Sequence, residues 1–509
     1  MKFKLFFITM LMINVATAQT GSVGDFQFNK DIGHPKIAGS AEYDAANQVY
    51  TLKGSGYNIW FERDEFHYLF NKIKGDFIMT ANFDFVGEGT DPHRKIGWMV
   101  RTSEADNDPH ISAVLHGDGL TVLQWRELKG AFMRDPQDEI RSPKANYHIL
   151  QIERKGNEII MRAAHSGEPL QLIGSHEIQD MPDTVLAGLF ICSHNPAVVE
   201  QAHVWNVRID RPVAEDYNPY QQGWLGCRLE TMNVFDGKRK VIYTKISRFE
   251  APNWMPDGKE LLFNMDGSLF KIPIDGGELE KLNTGSSDNI NNDHVISFNG
   301  KLLGISNSRQ GLPGGGSTVY VLPLDGGEPQ MVTVNTPSYL HGWAPNNKEL
   351  VYVAQRNGSN IYNIYKNNLK GDHEVALTEN KPGEHVDGCE YSPDGKWIYY
   401  NGSQSGTMQI WRMKPDGSGK EQLTFDEYNN WFPHISPDGK WIVMISFLPD
   451  EVSVNDHPTY KRVMLRLMPV DGTGAPKVIA YLYGGQGTIN VTSWSPDSKY
   501  IAFVSNSGR

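Results

Sequence analysis

A chain of 509 residues exceeds what a single hydrophobic core supports, so at least two domains are expected. A net charge of -12 offers no basic surface to nucleic acid or an anionic membrane, and it disfavours a polyanionic substrate. With 50 glycines, 11% aromatics and short Trp, Tyr, Val and Ile runs broken by Asp-Gly and Asn-Gly pairs, the composition is that of strands and tight turns, hence an all-β protein. The cysteines Cys192, Cys227 and Cys389 are odd in number and sit in or near apolar segments, which predicts buried thiols and no disulfide framework.

At the start of the chain, Lys2 and Lys4 precede an apolar run from Leu5 to Val15 that ends at Ala16-Thr17-Ala18, the small-x-small pattern of a signal-peptide cleavage site. Residues 1–18 are therefore expected to be removed, leaving Gln19 first and the protein periplasmic or secreted. No later stretch reaches the roughly 20 apolar residues of a membrane span, so no transmembrane segment is expected.

Residues 19–210 show alternating strands separated by Gly-Asp, Asn-Asp and Pro turns, and 211–224, with two prolines, read as a linker. Here Gly75-Asp76-Phe77-Ile78-Met79-Thr80-Ala81-Asn82-Phe83, Ile96-Gly97-Trp98-Met99-Val100-Arg101 and His203-Val204-Trp205-Asn206-Val207-Arg208-Ile209 resemble concanavalin-like or laminin-G-like jelly rolls. The resemblance implies a two-sheet β-sandwich with a concave sugar-binding face, on which Trp98 and Trp125, along with Trp60 and Tyr57, are candidate stacking platforms. The plainer reading of any one of them is a core aromatic. Asp106, Asn107 and Asp108 are a candidate calcium set, against the plainer reading of a solvated turn.

Residues 225–509 carry six repeats of one pattern, an apolar strand, a tight turn and a second apolar strand. The turns are Met255-Pro256-Asp257-Gly258-Lys259, Ser297-Phe298-Asn299-Gly300-Lys301, Ala344-Pro345-Asn346-Asn347-Lys348, Ser392-Pro393-Asp394-Gly395-Lys396, Ser436-Pro437-Asp438-Gly439-Lys440 and Ser495-Pro496-Asp497-Ser498-Lys499. Pro presets the first turn dihedral, Asp or Asn bonds back to the backbone, and Gly or Asn accepts the positive dihedral of a tight hairpin. An outer hairpin from Thr231 to Lys245 precedes every inner one, and nothing follows the last inner hairpin, Val491 to Ser505. The first hairpin is therefore expected to complete the last blade and close a six-bladed β-propeller. Tyr391-Ser392-Pro393-Asp394-Gly395-Lys396-Trp397-Ile398-Tyr399 and Gln409-Ile410-Trp411-Arg412-Met413 resemble the WD40-like repeats of the TolB family of periplasmic propellers, a resemblance that covers the chain from Leu225 onward.

The innermost strands of a propeller line its central channel, and the residues ahead of each turn crowd one mouth. They read Asn291-Asn292-Asp293-His294, Tyr339-Leu340-His341, His385-Val386-Asp387, Asn429-Asn430-Trp431 and Gln486-Gly487-Thr488-Ile489-Asn490. His294, His341 and His385 with Gln486 are candidate ligands of a divalent transition metal, similar in kind to the His and Gln metal site of oligogalacturonate lyase. Asp293 or Asp387 would then be the catalytic base, and Asn292, Asn430, Trp431 and Asn490 would contact the ligand. In the plainer reading these groups satisfy buried backbone where blades meet the axis. His434, on the other side of its strand, is expected to be structural, and the insertion Phe447 to Lys461, with Asp456-His457-Pro458, is expected to fold over a mouth of the channel.

No nucleophile elbow, phosphate loop or dinucleotide fingerprint is present. The preferred expectation is a monomeric cell-envelope binding protein that recognises a glycan or a protein partner. The alternative is a metal-dependent oligosaccharide lyase or hydrolase.

Overall fold

The computed structural model describes residues 21–507, so the expected signal segment and its cleavage point lie outside the described residues. Two compact units are present. The first takes in the described residues up to Gly75, Ala81–Ala163 and Gln171–Val207; the second takes in Asp76–Thr80, Ala164–Leu170 and the described chain from Arg208 onward. No helix among the described residues is long and apolar enough to cross a membrane, and Cys192, Cys227 and Cys389 are buried free thiols.

The first unit is built from two seven-stranded sheets. One runs in the order Phe28–Ile32, Phe66–Lys74, Thr184–Cys192, Lys95–Arg101, His110–His116, Thr121–Arg126 and Glu139–Arg141. The other runs Gln171–Glu177, Glu158–Ala164, Ile149–Lys155, Phe77–Phe85, Glu200–Asp210, Val49–Gly54 and Ser40–Asp44. Trp98 of the first sheet meets Phe83 of the second edge-on, with ring centroids 5.9 Å apart, and its indole N–H donates to the Leu150 carbonyl at 3.2 Å. The expectation of Trp98 as a sugar platform is corrected by this: its 0% exposure makes it core.

The second unit is a six-bladed propeller. Five blades are four-stranded sheets from consecutive chain, the first being Phe249–Trp254, Glu260–Met265, Ser268–Pro273 and Glu280–Lys281. The sixth combines Gly226–Asn233 and Arg239–Ile246 with Tyr500–Ser507, in an antiparallel register from Gly226 opposite Ser507 to Asn233 opposite Tyr500. A single bridge from Trp494 to Ile501 supplies its innermost element.

The repeated turn has a visible cause. The hydroxyls of Ser392, Ser436 and Ser495 donate to Asp394, Asp438 and Asp497 at 2.7, 2.6 and 2.6 Å, and each Ser oxygen also accepts the backbone N–H five residues on. Gly395 and Gly439 take φ of 72° and 70° there, a left-handed conformation that favours glycine. Indole N–H groups then stitch blades together, Trp343 to the Val295 carbonyl and Trp494 to the His434 carbonyl, both at 2.9 Å. His434 is structural in this sense: its ring bonds Glu390 at 2.8 Å and the Ile489 carbonyl at 2.7 Å, joining three blades.

Candidate functional site

In five blades the pairing of the innermost strand with its neighbour is interrupted by a bulge, between Glu250 and Asn253, Ile290 and His294, Leu340 and Gly342, Asp387 and Glu390, and Trp431 and His434. A bulge leaves a residue unpaired and re-aims the side chains beside it. Ala251, Gly388 and Phe432 sit at these bulges with φ of 55°, 59° and 52°. A backbone cost of this kind in a non-glycine residue is commonly found at functional positions.

The bulges bring an acid and imidazole cluster together. Asp387 accepts from His341 Nε2 at 2.7 Å, and His385 Nε2 lies 4.0 Å from its other oxygen. The His385 ring packs against Trp431 with centroids 5.5 Å apart and against Tyr362 at 5.2 Å, while Tyr339 lies 6.2 Å from Tyr362. The long insertion of the fifth blade covers this group. His457 from that loop lies on Trp431 at 4.3 Å, which leaves Trp431 0% exposed and corrects its expectation as a ligand contact: it is core. The loop is fastened by Asn455 Nδ2 donating to the Gly383 carbonyl at 2.9 Å and by Gln486 N donating to the Pro458 carbonyl at 3.1 Å. Several buried polar atoms here have no hydrogen-bond partner, among them Asn292 Nδ2, His385 Nε2, Trp431 Nε1 and His457 Nδ1.

The two aspartates are driven apart in proton affinity. Burial pushes Asp293 up to about 7, helped by the charges of Asp387 and Glu250 and opposed by His341. Burial would also raise Asp387, but the adjacent His341, with His457 and His385 in reach, holds it well below the usual carboxylate range. Burial pulls His341 down, yet Asp387 more than reverses this and leaves it above the ordinary imidazole value. Near neutral pH the site therefore holds one ionised and one substantially protonated carboxyl group, a division of labour suited to acid and base work or to hydroxyl recognition. Because folded Asp293 binds its proton more tightly than the unfolded carboxylate, its effect on stability is neutral below about pH 4 and increasingly adverse as pH rises to about 7. Asp293→Asn is expected to abolish that slope and to gain about 1–3 kcal/mol on the wild type at pH 8, read from melting curves between pH 4 and 8.

Other candidates lie elsewhere. His294 is fully buried with Nδ1 on Asn253 Oδ1 at 2.7 Å, and burial alone lowers its pKa to about 3. The side chains of Gln486 and Asn490 bond each other at 2.9 Å and Asn490 also accepts from Gly487 N, so these side chains brace their own loop while the two backbones reach the cluster, at the Pro458 carbonyl and at His341. Asn430 is fully buried and its amide is engaged by Gln409, Thr424, Asp426, Ser446 and Arg466. Among the described residues no three His, Cys, Asp or Glu side chains are arranged to hold a metal ion. His294, His341, His385 and Gln486 therefore do not fit a metal centre as positioned.

In the first unit, Trp125 is buried beneath His176, stacked at 3.9 Å and 12°, so this ring face is already taken. Of the candidate calcium set Asp106, Asn107 and Asp108, Asp108 pairs with Lys129 at 2.8 Å and accepts from the Ser103 hydroxyl, and among the described residues no three acidic, His or Cys groups there are arranged to hold a metal. Sequence reasoning passed over Glu250, although it stands five residues before its turn just as Asp387 does. Tyr362 and Phe432 carry no comparable signal.

This fold and mouth define a closed six-bladed propeller with an acid and imidazole cluster at its axis. Residues 314–468 match the model of the TolB beta propeller domain. An uncharacterised protein of Agrobacterium fabrum is 41% identical over 283 residues, 55% of this chain and 93% of its own length. The solved structure of a protein from Agrobacterium tumefaciens, described as a TolB candidate, has the same 41% identity, covers 56% of this chain and 99% of its own, and has a TM-score of 0.52. The chain belongs to this TolB-like propeller family. A manganese-bound oligogalacturonate lyase is similar at 11% identity and a TM-score of 0.32, covering 50% of this chain and 67% of its own.

Proposed function

We propose that the propeller mouth is the binding site of an exported cell-envelope protein and that its ligand is a glycan. One observation carries the reading: Asp387, His341 and His385 meet the half-buried rings of Tyr362 and Tyr339 in one place. Aromatic faces suit the C–H surface of a sugar ring, and a few convergent polar groups fix its hydroxyls. Export rests on the N-terminal sequence pattern, and a periplasmic location accords with the TolB-like family. We assign the first unit to the jelly-roll sandwiches on its two packed sheets and sequence resemblance.

The test is a panel of polysaccharides and oligosaccharides titrated into the full chain, with and without added divalent metal. Saturable binding of one of them, weakened about tenfold or more in His385→Ala, is the expected result. If no glycan binds while an envelope protein is retained through the same residues, the mouth is a protein-docking site and the glycan reading is wrong.

The opposed proton affinities of Asp293 and Asp387 favour a second reading, a glycan-cleaving enzyme in which Asp387 acts as base and Asp293 as proton donor. New reducing ends or unsaturated-sugar absorbance, lost in Asp293→Asn, would establish it.

A further inference from the structure

The first unit buries a cation without a counter-ion. Lys95 lies three residues from Trp98 in strand Lys95–Arg101, and side chains alternate along a strand. Trp98 points at the second sheet, so Lys95 points to the opposite face. It is 3% exposed, and its ammonium donates to Asn58 Oδ1 at 2.5 Å. That oxygen also accepts from Ile59 N at 2.8 Å, which fixes it in place. No carboxylate among the described residues comes within ion-pair distance of Lys95; Asp64, Asp91 and Glu139 act on it only from further away. An ammonium has three donors, and a lysine buried to this degree is almost always paired.

The cross-strand partners of Lys95 are Cys192 on one side and His116 on the other, all three on the same face. His116 is 8% exposed, and its Nε2 has no partner. Its Nδ1 lies 3.4 Å from His93 Nδ1, and the His93 ring lies 5.6 Å from that of His194. His93 is exposed and His194 half-buried, so basic groups run from the buried ammonium out to solvent. His194 lies beside Asp91, with Nδ1 to Oδ2 at 3.2 Å. A metal ion does not suit the place: no metal-holding set exists there, and the ammonium repels a cation.

We propose that Lys95, His116, His194 and His93 form an oxyanion site in the first unit, taking the carboxylate or phosphate group of a ligand. The anion neutralises the buried ammonium and accepts from the imidazoles. The site is independent of the propeller mouth.

The full chain is titrated at low ionic strength with sodium acetate and with inorganic phosphate, with sodium chloride as control. One of the two oxyanions is expected to raise the melting temperature saturably where chloride does not, and whichever acts identifies the group. Lys95→Met is expected to melt no lower than the wild type, because it removes an uncompensated charge at similar volume, and to lose the response. His93→Gln, at the surface, should weaken binding several-fold with unchanged melting in chloride. The proposal is overturned if neither oxyanion outdoes chloride, or if both variants respond like the wild type.

Discussion

Glu230→Ala is expected to lose about 3–5 kcal/mol of stability, the largest single-residue effect in the propeller. Glu230 is fully buried in strand Gly226–Asn233 and accepts from Arg239 at 2.7 Å, Arg208 at 2.5 Å and the Ser505 hydroxyl at 2.5 Å. Ser505 lies on the strand that closes the ring, so this cluster sits on the seam of the sixth blade. Removing the carboxylate strands two guanidinium groups in a dry interior, a cost that exceeds the loss of the attraction itself. Burial raises Glu230, but the two arginines outweigh it and hold it far below the usual carboxylate range. Its contribution is therefore fully present above the unfolded-state value of 4.5 and is lost as pH falls through the folded value. Urea unfolding of the wild type and Glu230→Gln at pH 7 and pH 3 checks this: the gap between them should be wide at pH 7 and narrower at pH 3.

Asp387→Asn is expected to weaken ligand binding at the mouth by about 100-fold, roughly 2.7 kcal/mol. The carboxylate both accepts from His341 and keeps it above its ordinary proton affinity, so the substitution removes a charge-assisted bond and changes the form of the imidazole. The His341 contribution to stability is present below its unfolded value of 6.5 and fades as pH rises through the raised folded value. In Asp387→Asn that alkaline fade should vanish. Calorimetric titration gives the affinity, and melting curves between pH 6 and 9 give the fade. An affinity within threefold of the wild type would remove Asp387 from the site.

The propeller was legible because its turns repeat the same chemistry: Ser, Pro, Asp and Gly each do a separable job, visible in the bonds of Ser392 and Ser436. The site was legible only in part. His341 and His385 both lie beside Asp387, whereas His294, in the same aligned position as His341, turns to Asn253. The difference arises at the bulges, which fall at slightly different points in successive blades and leave no mark in residue type. Trp98 was misread because Lys95–Arg101 is buried on both faces, so alternation of polar and apolar residues gives no clue to which side is core. The cover provided by His457 depended on a loop whose path no local pattern encodes.

The pairing of Gly226–Asn233 with Tyr500–Ser507 also bears on synthesis. A nascent chain can finish the five consecutive blades one after another, but the hairpin made before them has no innermost partners until the final strand leaves the ribosome. For nearly the whole translation of the propeller, that hairpin exposes an open edge able to pair with any passing strand. The closing step joins segments far apart in sequence, so it is expected to be the slowest contact of the propeller to form.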